Sequence, residues 1–365
     1  MKPETAAALQ WLSGIAEDED LRFIAAKAAA MVEVYLEVNP VMSLQIEAQE
    51  EWYELDVINP RTGRLRQQNF THCGFFDGVC SGTFAGRTGR FILERKTCDQ
   101  DITDGSPYWD RLLLNHQVDE YALAYWQKHG QQIEGVIYDV LRQPGISPRK
   151  ITLGELAEIA ENGIYFGRRV NNDSRMLAAA YLGERERHQA DKKASKKTGE
   201  YIGEAPEQPT ENPNLFRLRC LDVLNSRASE YYRQKFVYRG EKELLEYADE
   251  LWTITDLIRA CGSLERSPRN PGACFGYNST CEYIKLCTGT SAEDANCWEQ
   301  KETNPFRLSQ SRIATFQTCR RKHYFRHVAG IVPLVRATTE RQTLGSLVHK
   351  ALEKAWQSQQ QLQNS

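Results

Sequence analysis

Apolar residues recur at helical spacing in two stretches of the chain, over residues 21–38 and 112–129. Shorter apolar runs have the length and the side-chain pattern of β-strands. They predict two strands within residues 41–58 and further strands over residues 74–80, 90–97 and 135–141. An order of helix, strands, helix and strand is typical of an α/β fold, in which helices cover a sheet.

A polar stretch over residues 183–213 separates this first region from the rest of the chain. It is rich in Glu, Lys, Gln, Ala and Pro, and its sizeable apolar residues are Tyr201 and Ile202. We therefore expect a solvated, flexible linker. The prediction divides the chain into a core, this linker, a helical region with clustered cysteines, and a last part that ends in a helix. Their bounds are residues 1–182, 183–213, 214–300 and 301–365.

The charge balance of the 365 residues limits the partners that the chain can bind. Lys and Arg number 46 and Asp and Glu number 49, which gives a net charge of −3 at pH 7 and excludes a histone-like polycation. Contact with nucleic acid would have to come from a local basic surface. The sequence has no secretory signal pattern and no apolar run of about 18 residues, so we expect a cytoplasmic protein without membrane contact.

Two acidic residues and a lysine lie on consecutive predicted strands, Asp77 on the first and Glu94 and Lys96 on the second. Because side chains alternate along a strand, Glu94 and Lys96 point to one face, and Asp77 lies beside Glu94 if the strands form a hairpin. Two such carboxylates could coordinate Mg²⁺ or Mn²⁺, and the lysine could orient water or stabilise charge on a phosphate. The alternative is an ion pair on a strand surface. The Glu-x-Lys triplet alone is not specific, since residues 299–301 form a second one.

Gln117 and Tyr121 lie one turn apart on the second predicted helix and therefore share a face. With the strand residues they complete the pattern Asp…Glu-x-Lys…Gln-x-x-x-Tyr, which resembles the PD-(D/E)XK nuclease superfamily and in particular its RecB-like branch. The resemblance implies a restriction-endonuclease-like α/β core, a mixed sheet flanked by helices. It assigns Asp77 and Glu94 to the metal and Lys96 to catalysis. Gln117 and Tyr121 would support the substrate.

Four cysteines in the second half of the chain suit a metal or cluster site. Cys274, Cys281 and Cys287 have the spacing C-x6-C-x5-C, and Cys319 lies in a basic segment. Four thiolates can hold a [4Fe–4S] cluster or Zn²⁺, and unligated buried cysteines are a third alternative. Many RecB-like nucleases have an iron–sulfur site, so the resemblance implies a [4Fe–4S] cluster in a helical, cysteine-ligated subdomain. The family usually has a shorter middle spacing, and Cys297 is a substitute candidate.

A Gly-x-x-x-His motif from Gly345 to His349 opens the last predicted helix. It resembles the RecB-like motif whose histidine joins the metal site, although in that family it precedes the Asp…Glu-x-Lys pattern. We therefore expect a circular permutation, in which the last helix packs beside residues 21–38 and directs His349 to Asp77 and Glu94. The alternatives are a fragment of a tandem-nuclease gene and a dimer whose chains exchange C-terminal segments.

A basic stretch with interleaved aromatic residues spans residues 305–328 and contains six Lys or Arg and no acidic residue. A helix of this composition suits contacts with phosphates and stacking on the bases of a single strand. The alternative is a basic helix whose aromatic side chains belong to the core. The predicted DNA-binding residues are Arg312, Arg320, Arg321, Lys322 and Tyr324.

These features together predict a Mg²⁺- or Mn²⁺-dependent deoxyribonuclease that acts on single strands or free ends, in DNA repair, recombination or phage replication. Two other classes remain open: a nucleic-acid-binding module that keeps the fold without cutting, and a zinc-stabilised adaptor that binds protein. A His349 far from the acidic pair would favour the binding module. A zinc protein without affinity for DNA would favour the adaptor.

Overall fold

The computed structural model describes residues 2–39, 43–198, 201–276, 279–290, 297–334 and 339–363. Its α-helices are α1 (Pro3–Ile15), α2 (Arg22–Val38), α3 (Pro107–Leu113), α4 (Gln117–His129), α5 (Leu153–Asn162), α6 (Asn172–Thr198), α7 (Pro213–Ser226), α8 (Ala228–Tyr231), α9 (Glu241–Ala260), α10 (Ile284–Thr288), α11 (Gln310–Thr318), α12 (Arg320–His323) and α13 (Glu340–Gln363). Its strands are β1 (Gln45–Asp56), β2 (Thr71–Phe84), β3 (Arg87–Cys98), β4 (Gly135–Arg142), β5 (Ile164–Tyr165), β6 (Arg168–Arg169), β7 (Tyr232–Val237), β8 (Phe275–Gly276), β9 (Ser279–Thr280), β10 (Trp298–Gln300), β11 (Arg307–Leu308) and β12 (Ile331–Pro333). None of the helices in these ranges is long and apolar enough to cross a membrane.

The main sheet has the strand order β1-β2-β3-β4-β7, with β11 beside the start of β2. Strands β1, β2 and β3 form an antiparallel meander, β3 and β4 are parallel, and β7 pairs antiparallel with β4. The parallel β3–β4 pair needs a crossover, which α3 and α4 provide. The sheet is therefore mixed and is flanked by helices, as the sequence predicts.

Helices cover the sheet on two sides through two apolar clusters. One cluster joins α1, α2, α7 and α13 to one side of the sheet, and the other joins α3, α4, α9 and α11 to strand residues that include Phe76 and Ile92. Strand β4 is buried along nearly its whole length, which is expected for a central strand covered on both faces. Since both clusters close on this sheet, residues before and after the polar stretch share one core.

Helix α13 packs against α1 and α2 and also contacts β1 and β3. The predicted position of the last helix beside residues 21–38 is therefore confirmed. The apolar stripe of α13 explains the contact, because Leu344, Leu347, Val348, Ala351 and Leu352 recur at helical spacing and all are buried. The C-terminal part of the chain thus completes one side of the core.

Several elements differ from the sequence prediction in extent. One long strand, β1, replaces the two strands expected within residues 41–58, of which residues 41 and 42 lie outside the described residues. The helix expected over residues 112–129 is two helices, because Asn115 accepts a hydrogen bond of 3.0 Å from the backbone N–H of Gln117 and begins α4 anew.

The polar stretch predicted as a linker begins as helix. Helix α6 continues to Thr198, because the Glu, Lys, Arg and Ala residues of this segment are good helix formers and need no apolar partner on their solvated faces. Strands β7 and β11 come from the parts of the chain predicted as residues 214–300 and 301–365, and both pair with strands of the main sheet. The division into four parts remains a prediction.

Candidate active site

Strands β2 and β3 separate next to the acidic residue of β2. Their pairing runs from the hairpin to Gly78 opposite Leu93, and the first residues of β2 pair instead with β11. Asp77 lies in the gap between these two pairings, and its Oδ2 accepts a hydrogen bond of 2.9 Å from the backbone N–H of Arg95. This bond holds the Asp77 carboxylate beside the preceding residue of β3, Glu94.

Glu94 is the centre of a hydrogen-bonded group on the face of the sheet that α4 covers. Its side chain is 3% exposed, and it accepts hydrogen bonds from the Tyr121 hydroxyl at 2.7 Å and from Gln117 Nε2 at 2.9 Å. Lys96 Nζ forms an ion pair with Glu94 and donates to Gln117 Oε1 at 2.8 Å. The structure therefore brings together four of the five side chains that the strand and helix motifs predict, and the fifth, Asp77, lies beside them through its bond to Arg95.

The charge of Glu94 affects the protonation of Asp77. Burial and then the charge of Glu94 raise the pKa of Asp77 to about 7, because a second negative charge in a desolvated gap is unfavourable. Burial also holds the pKa of Tyr121 far above its ordinary value. Tyr121 therefore keeps its proton and donates it to Glu94 in a hydrogen bond. A cation placed between the carboxylates would relieve their repulsion.

A cleft of about 740 Å³, here named the main cleft, lies between β2, β3 and α13. Asp77 lines it from β2, Thr97 from β3, and His349 from α13. A Cβ at Gly345 would lie 2.6 Å from Thr97 Oγ1, so the glycine allows α13 to approach β3 closely. His349 follows one turn later on the same face of the helix and reaches the cleft.

His349 is neutral at neutral pH. Burial, and then the charges of Arg95 and Lys96, lower its pKa to about 4. A neutral imidazole keeps a free lone pair on one ring nitrogen, which is the form that ligates metal ions. The structure therefore places this histidine and Asp77 on the same cleft, whereas Glu94, the other predicted neighbour of His349, does not line it.

The side chain of Arg95 lies on the opposite side of the sheet from that of Glu94. Its Nε lies 3.4 Å from Asp139 Oδ2, and its guanidinium carbon is 4.0 Å from the ring centroid of Trp356 on α13. Asp139 also accepts hydrogen bonds from Tyr35 and from Asn39. This buried group ties β3 to α2 and α13. The sequence predicts only that Arg95 points away from the catalytic face, since its partners are distant along the chain.

Two residues of β1 that sequence reasoning missed also line the main cleft, Gln49 and Glu50. Glu50 lies opposite Asp77, between the paired positions on either side, and has a left-handed backbone with φ of 47°. Burial, followed by the charges of Glu353 and Glu94, raises its pKa. Its signal in the sequence is weak, because β1 carries several acidic residues and only the strand pairing singles out this one.

Three of the predicted cysteine ligands interact electrostatically. Burial above all raises the pKa of the Cys287 thiol, the charges of Arg269 and Arg321 lower it, and Cys319 and Cys274 raise it, so Cys287 is within electrostatic reach of the other two thiols. The backbone N–H of Cys281 donates to the carbonyl of Cys274 at 2.8 Å. Across the residues that the structure describes, no group of three or more His, Cys, Asp or Glu side chains has the arrangement of a metal site, at the cysteines or at the acidic pair.

Arg312, predicted to contact DNA, instead stabilises the loop before α11. Its side chain is buried, and its guanidinium donates to the backbone carbonyls of Asn304, Pro305 and Arg307. Its Nε also donates to His323 Nε2 at 3.1 Å. With every arm of the guanidinium engaged inside the protein, this arginine is not free to bind a phosphate.

The other predicted DNA-binding residues belong to a broken helix. Helix α12 is one turn long and continues into a π-helix at Tyr324–Val328. Arg321 Nε donates to the carbonyl of Ser267 at 2.6 Å, and Lys322 Nζ lies 3.3 Å from a carboxylate oxygen of Glu282. Arg320 lies over the ring of a core aromatic residue, Phe316. These contacts are with other parts of the protein. The side chains of this segment therefore contribute to the packing of the region and not only to a surface that could bind DNA.

The mixed sheet flanked by helices, with the acidic pair and lysine where its strands separate, defines the class: an α/β protein consistent with a restriction-endonuclease-like fold. The comparison with family models points the same way, since the model of the PD-(D/E)XK nuclease superfamily matches residues 307–365. This match includes the Gly345–His349 motif and leaves out Asp77 and Glu94. The comparisons with curated proteins and with solved structures gave no match.

Proposed function

We propose that the chain is a RecB-like member of the PD-(D/E)XK superfamily and a metal-dependent DNA nuclease. The observation that carries this proposal is the group at the separation of β2 and β3. There Asp77 bonds to the backbone of β3, and Glu94 shares hydrogen bonds with Gln117, Tyr121 and Lys96. Proteins of this superfamily are generally nucleases.

The donor set fits a hard divalent cation, Mg²⁺ or Mn²⁺. Asp77 and Glu94 offer carboxylate oxygens, which these ions prefer, and their mutual repulsion shows in the raised pKa of Asp77. Neutral His349 on the main cleft would complete the set. When bound, the cation would activate a water molecule and neutralise charge on the phosphate.

The side chains around Glu94 would orient the reacting groups. Gln117 and Tyr121 hold the Glu94 carboxylate in one orientation by donating to it. Lys96 is less buried, and its ammonium has three donors, of which Glu94 and Gln117 use two. The third donor can bind the attacking water or a phosphate oxygen as negative charge develops.

The test is cleavage of end-labelled single-stranded and duplex DNA in Mg²⁺ or Mn²⁺, compared with EDTA and with the variant Glu94→Gln. We expect cleavage that requires metal and is lost in this variant. The matched control is Glu299→Gln, which alters the other Glu-x-Lys triplet, where Glu299 and Lys301 form an exposed ion pair of 2.8 Å. Folded wild-type protein that never cuts would support the non-catalytic binding module instead.

We also propose that Cys274, Cys281, Cys287 and Cys319 hold a structural [4Fe–4S] cluster, with zinc as the alternative. The electrostatic interaction of Cys287 with Cys274 and with Cys319 supports the proposal. Iron, sulfide and zinc content of anaerobically purified protein distinguishes the two metals. Cys319→Ser should lose the metal and Cys297→Ser should keep it, and metal-free wild-type protein would contradict both alternatives.

A circular permutation of the RecB-like order is the proposed origin of the motif order. The contact of α13 with α1 and α2 supports it, because the helix with the Gly-x-x-x-His motif lies beside the helices that follow this motif in the family order. The family match to residues 307–365 is also at the C-terminal end. A gene fragment and a dimer with exchanged segments are the competing explanations, and the dimer is tested below by mixing variants.

A further inference from the structure

Two large aromatic side chains lie exposed and in contact on neighbouring strands, close to the proposed active site. Trp52 of β1 and Phe75 of β2 are cross-strand partners and are 38% and 48% exposed. Their ring centroids are 4.8 Å apart with an interplanar angle of 66°. Single exposed apolar residues are common, but a paired aromatic surface of this kind is typical of a binding site.

An arginine that could bind a phosphate lies beside this pair. A cavity of about 420 Å³ adjoins the two rings, and its lining contains Arg307 and no acidic side chain; Arg312 also lines it, but its guanidinium is engaged inside the protein. The guanidinium carbon of Arg307 is 5.3 Å from the centroid of Trp52. Arg307 also pairs with Glu54 at 3.0 Å, but both side chains are about half exposed, and such a pair yields readily to a phosphate.

The aromatic pair lies next to Asp77, which would hold the metal ion and, through that ion, the reacting phosphate. Phe75 and Asp77 are two positions apart on β2, a distance of about 7 Å along a strand. A nucleotide whose phosphate lies at Asp77 therefore has a neighbouring base within reach of the rings.

We propose that Trp52 and Phe75 form a stacking platform for an unpaired base of single-stranded DNA next to the phosphate at Asp77. The proposal rests on the proposed nuclease function and gives that site its substrate class. Aromatic rings stack on any base that is free of its complement, and arginine at the rim binds the backbone. Bases inside a duplex are already stacked and paired, so the platform selects single strands and frayed ends.

The test measures binding in EDTA, where cleavage does not interfere. Fluorescence anisotropy gives the affinity for a single-stranded oligonucleotide, for the same strand with abasic sites, and for a blunt duplex. The variant Trp52→Leu/Phe75→Leu keeps apolar side chains but removes both rings. The control variant is Tyr201→Ala, which removes an aromatic residue elsewhere that is 91% exposed.

Removing the rings should weaken binding of the single strand about tenfold, since stacking on one base contributes on that scale. Binding of the abasic strand and of the duplex should stay unchanged, and Trp52→Phe, which keeps a ring, should retain most of the affinity. An equal loss on the abasic strand, or no loss on the normal strand, would overturn the platform.

The outcomes for the platform and for the nuclease are separable. A protein that binds with the expected dependence on bases but never cuts in Mg²⁺ or Mn²⁺ would retain the platform and overturn the nuclease. A protein that cuts in a Glu94-dependent manner but binds abasic and normal strands equally would retain the nuclease and overturn the platform. Circular dichroism and urea unfolding confirm that the double variant is folded.

Discussion

Lys96 is the more exposed member of its ion pair, with a side chain that is 30% exposed, whereas the partner Glu94 is buried. Lys96→Ala leaves the Glu94 carboxylate without its cation and should lower the free energy of unfolding by about 1 to 3 kcal/mol. It should lower the rate of cleavage about 10²- to 10³-fold, because a preorganised charge near the phosphate is lost.

Single-turnover cleavage assays and urea unfolding check this prediction side by side. Lys301→Ala is the control, since Lys301 occupies the same place in the second Glu-x-Lys triplet and forms an exposed ion pair. Full activity of Lys96→Ala would remove the lysine from the mechanism.

His323 makes stability depend on pH. Its side chain is fully buried and accepts a hydrogen bond from Arg312, and burial followed by the charge of Arg312 lowers its pKa to about 3. The unfolded chain binds the proton near pH 6.5, whereas the folded chain does not bind it until near pH 3. Folding therefore loses stability as the pH falls below about 6.5, by about 1 to 2 kcal/mol at pH 5.

Urea unfolding at pH 7.5 and pH 5 of wild-type protein and of His323→Gln measures this contribution. The variant should lose less stability on acidification, because the buried titrating group is gone. The lowered pKa values of His327 and His349 also reduce stability as the pH falls, whereas the raised pKa of Asp77 increases it. These groups are present in both proteins, so the contribution of His323 is the difference between the wild-type and variant pH profiles. Parallel pH profiles would refute the assignment.

At the scale of elements, the position of α13 against β3 depends on one glycine. A Cβ at Gly345 would lie 2.6 Å from Thr97 Oγ1, so Gly345→Ala should displace the helix and His349 with it. We expect a loss of about 1 to 3 kcal/mol in the free energy of unfolding and slower cleavage. Gly183→Ala in α6, where a Cβ meets open space, should be neutral or stabilising.

The double variant Gly345→Ala/Thr97→Ala tests whether the effect of Gly345→Ala comes from the contact of its new Cβ with Thr97 Oγ1. If the clash with Oγ1 is the cause, removing that atom restores stability and part of the activity. If the double variant is no better than Gly345→Ala alone, the close approach of α13 to β3 is not what the glycine provides. Urea unfolding and cleavage rates give both readouts.

Prediction of the elements from sequence succeeded where one local pattern was decisive. The helix over residues 21–38 and the strand over residues 135–141 are found within one residue of their predicted ends, because burial on one face or on both gives a clear periodicity. The break between α3 and α4 was missed, since it depends on a side-chain hydrogen bond of Asn115. The continuation of α6 was missed because its residues satisfy a solvated helix without any apolar stripe.

At the scale of the whole molecule, we expect one chain to supply both halves of the proposed site. Helix α13 packs on α1 and α2 of its own chain and brings His349 to the cleft of Asp77. Glu94→Gln and His349→Ala should each be inactive, and an equal mixture of the two should remain inactive. A dimer that exchanges C-terminal segments would instead form some intact sites and recover up to about a quarter of wild-type activity.

Mixing the variants after joint unfolding and refolding makes this comparison decisive, because exchange is then not limited by slow dissociation. The rate of cleavage per chain is measured at several protein concentrations. Activity that appears only in the mixture, and that grows with concentration, would contradict the single-chain site.

The sequence by itself determined the local parts of the site, because spacing along one strand or one helical turn decides which side chains share a face. Glu94 and Lys96 are such a pair on one strand, and Gln117 and Tyr121 are such a pair on one helix. Each pair can be recognised from its own segment of the sequence. Only the tertiary structure decided how these parts meet. The bond of Asp77 across the gap to β3, and the pairing of Trp52 with Phe75, depend on strand order and register. Those follow from the packing of segments far apart in the chain, which no local pattern records.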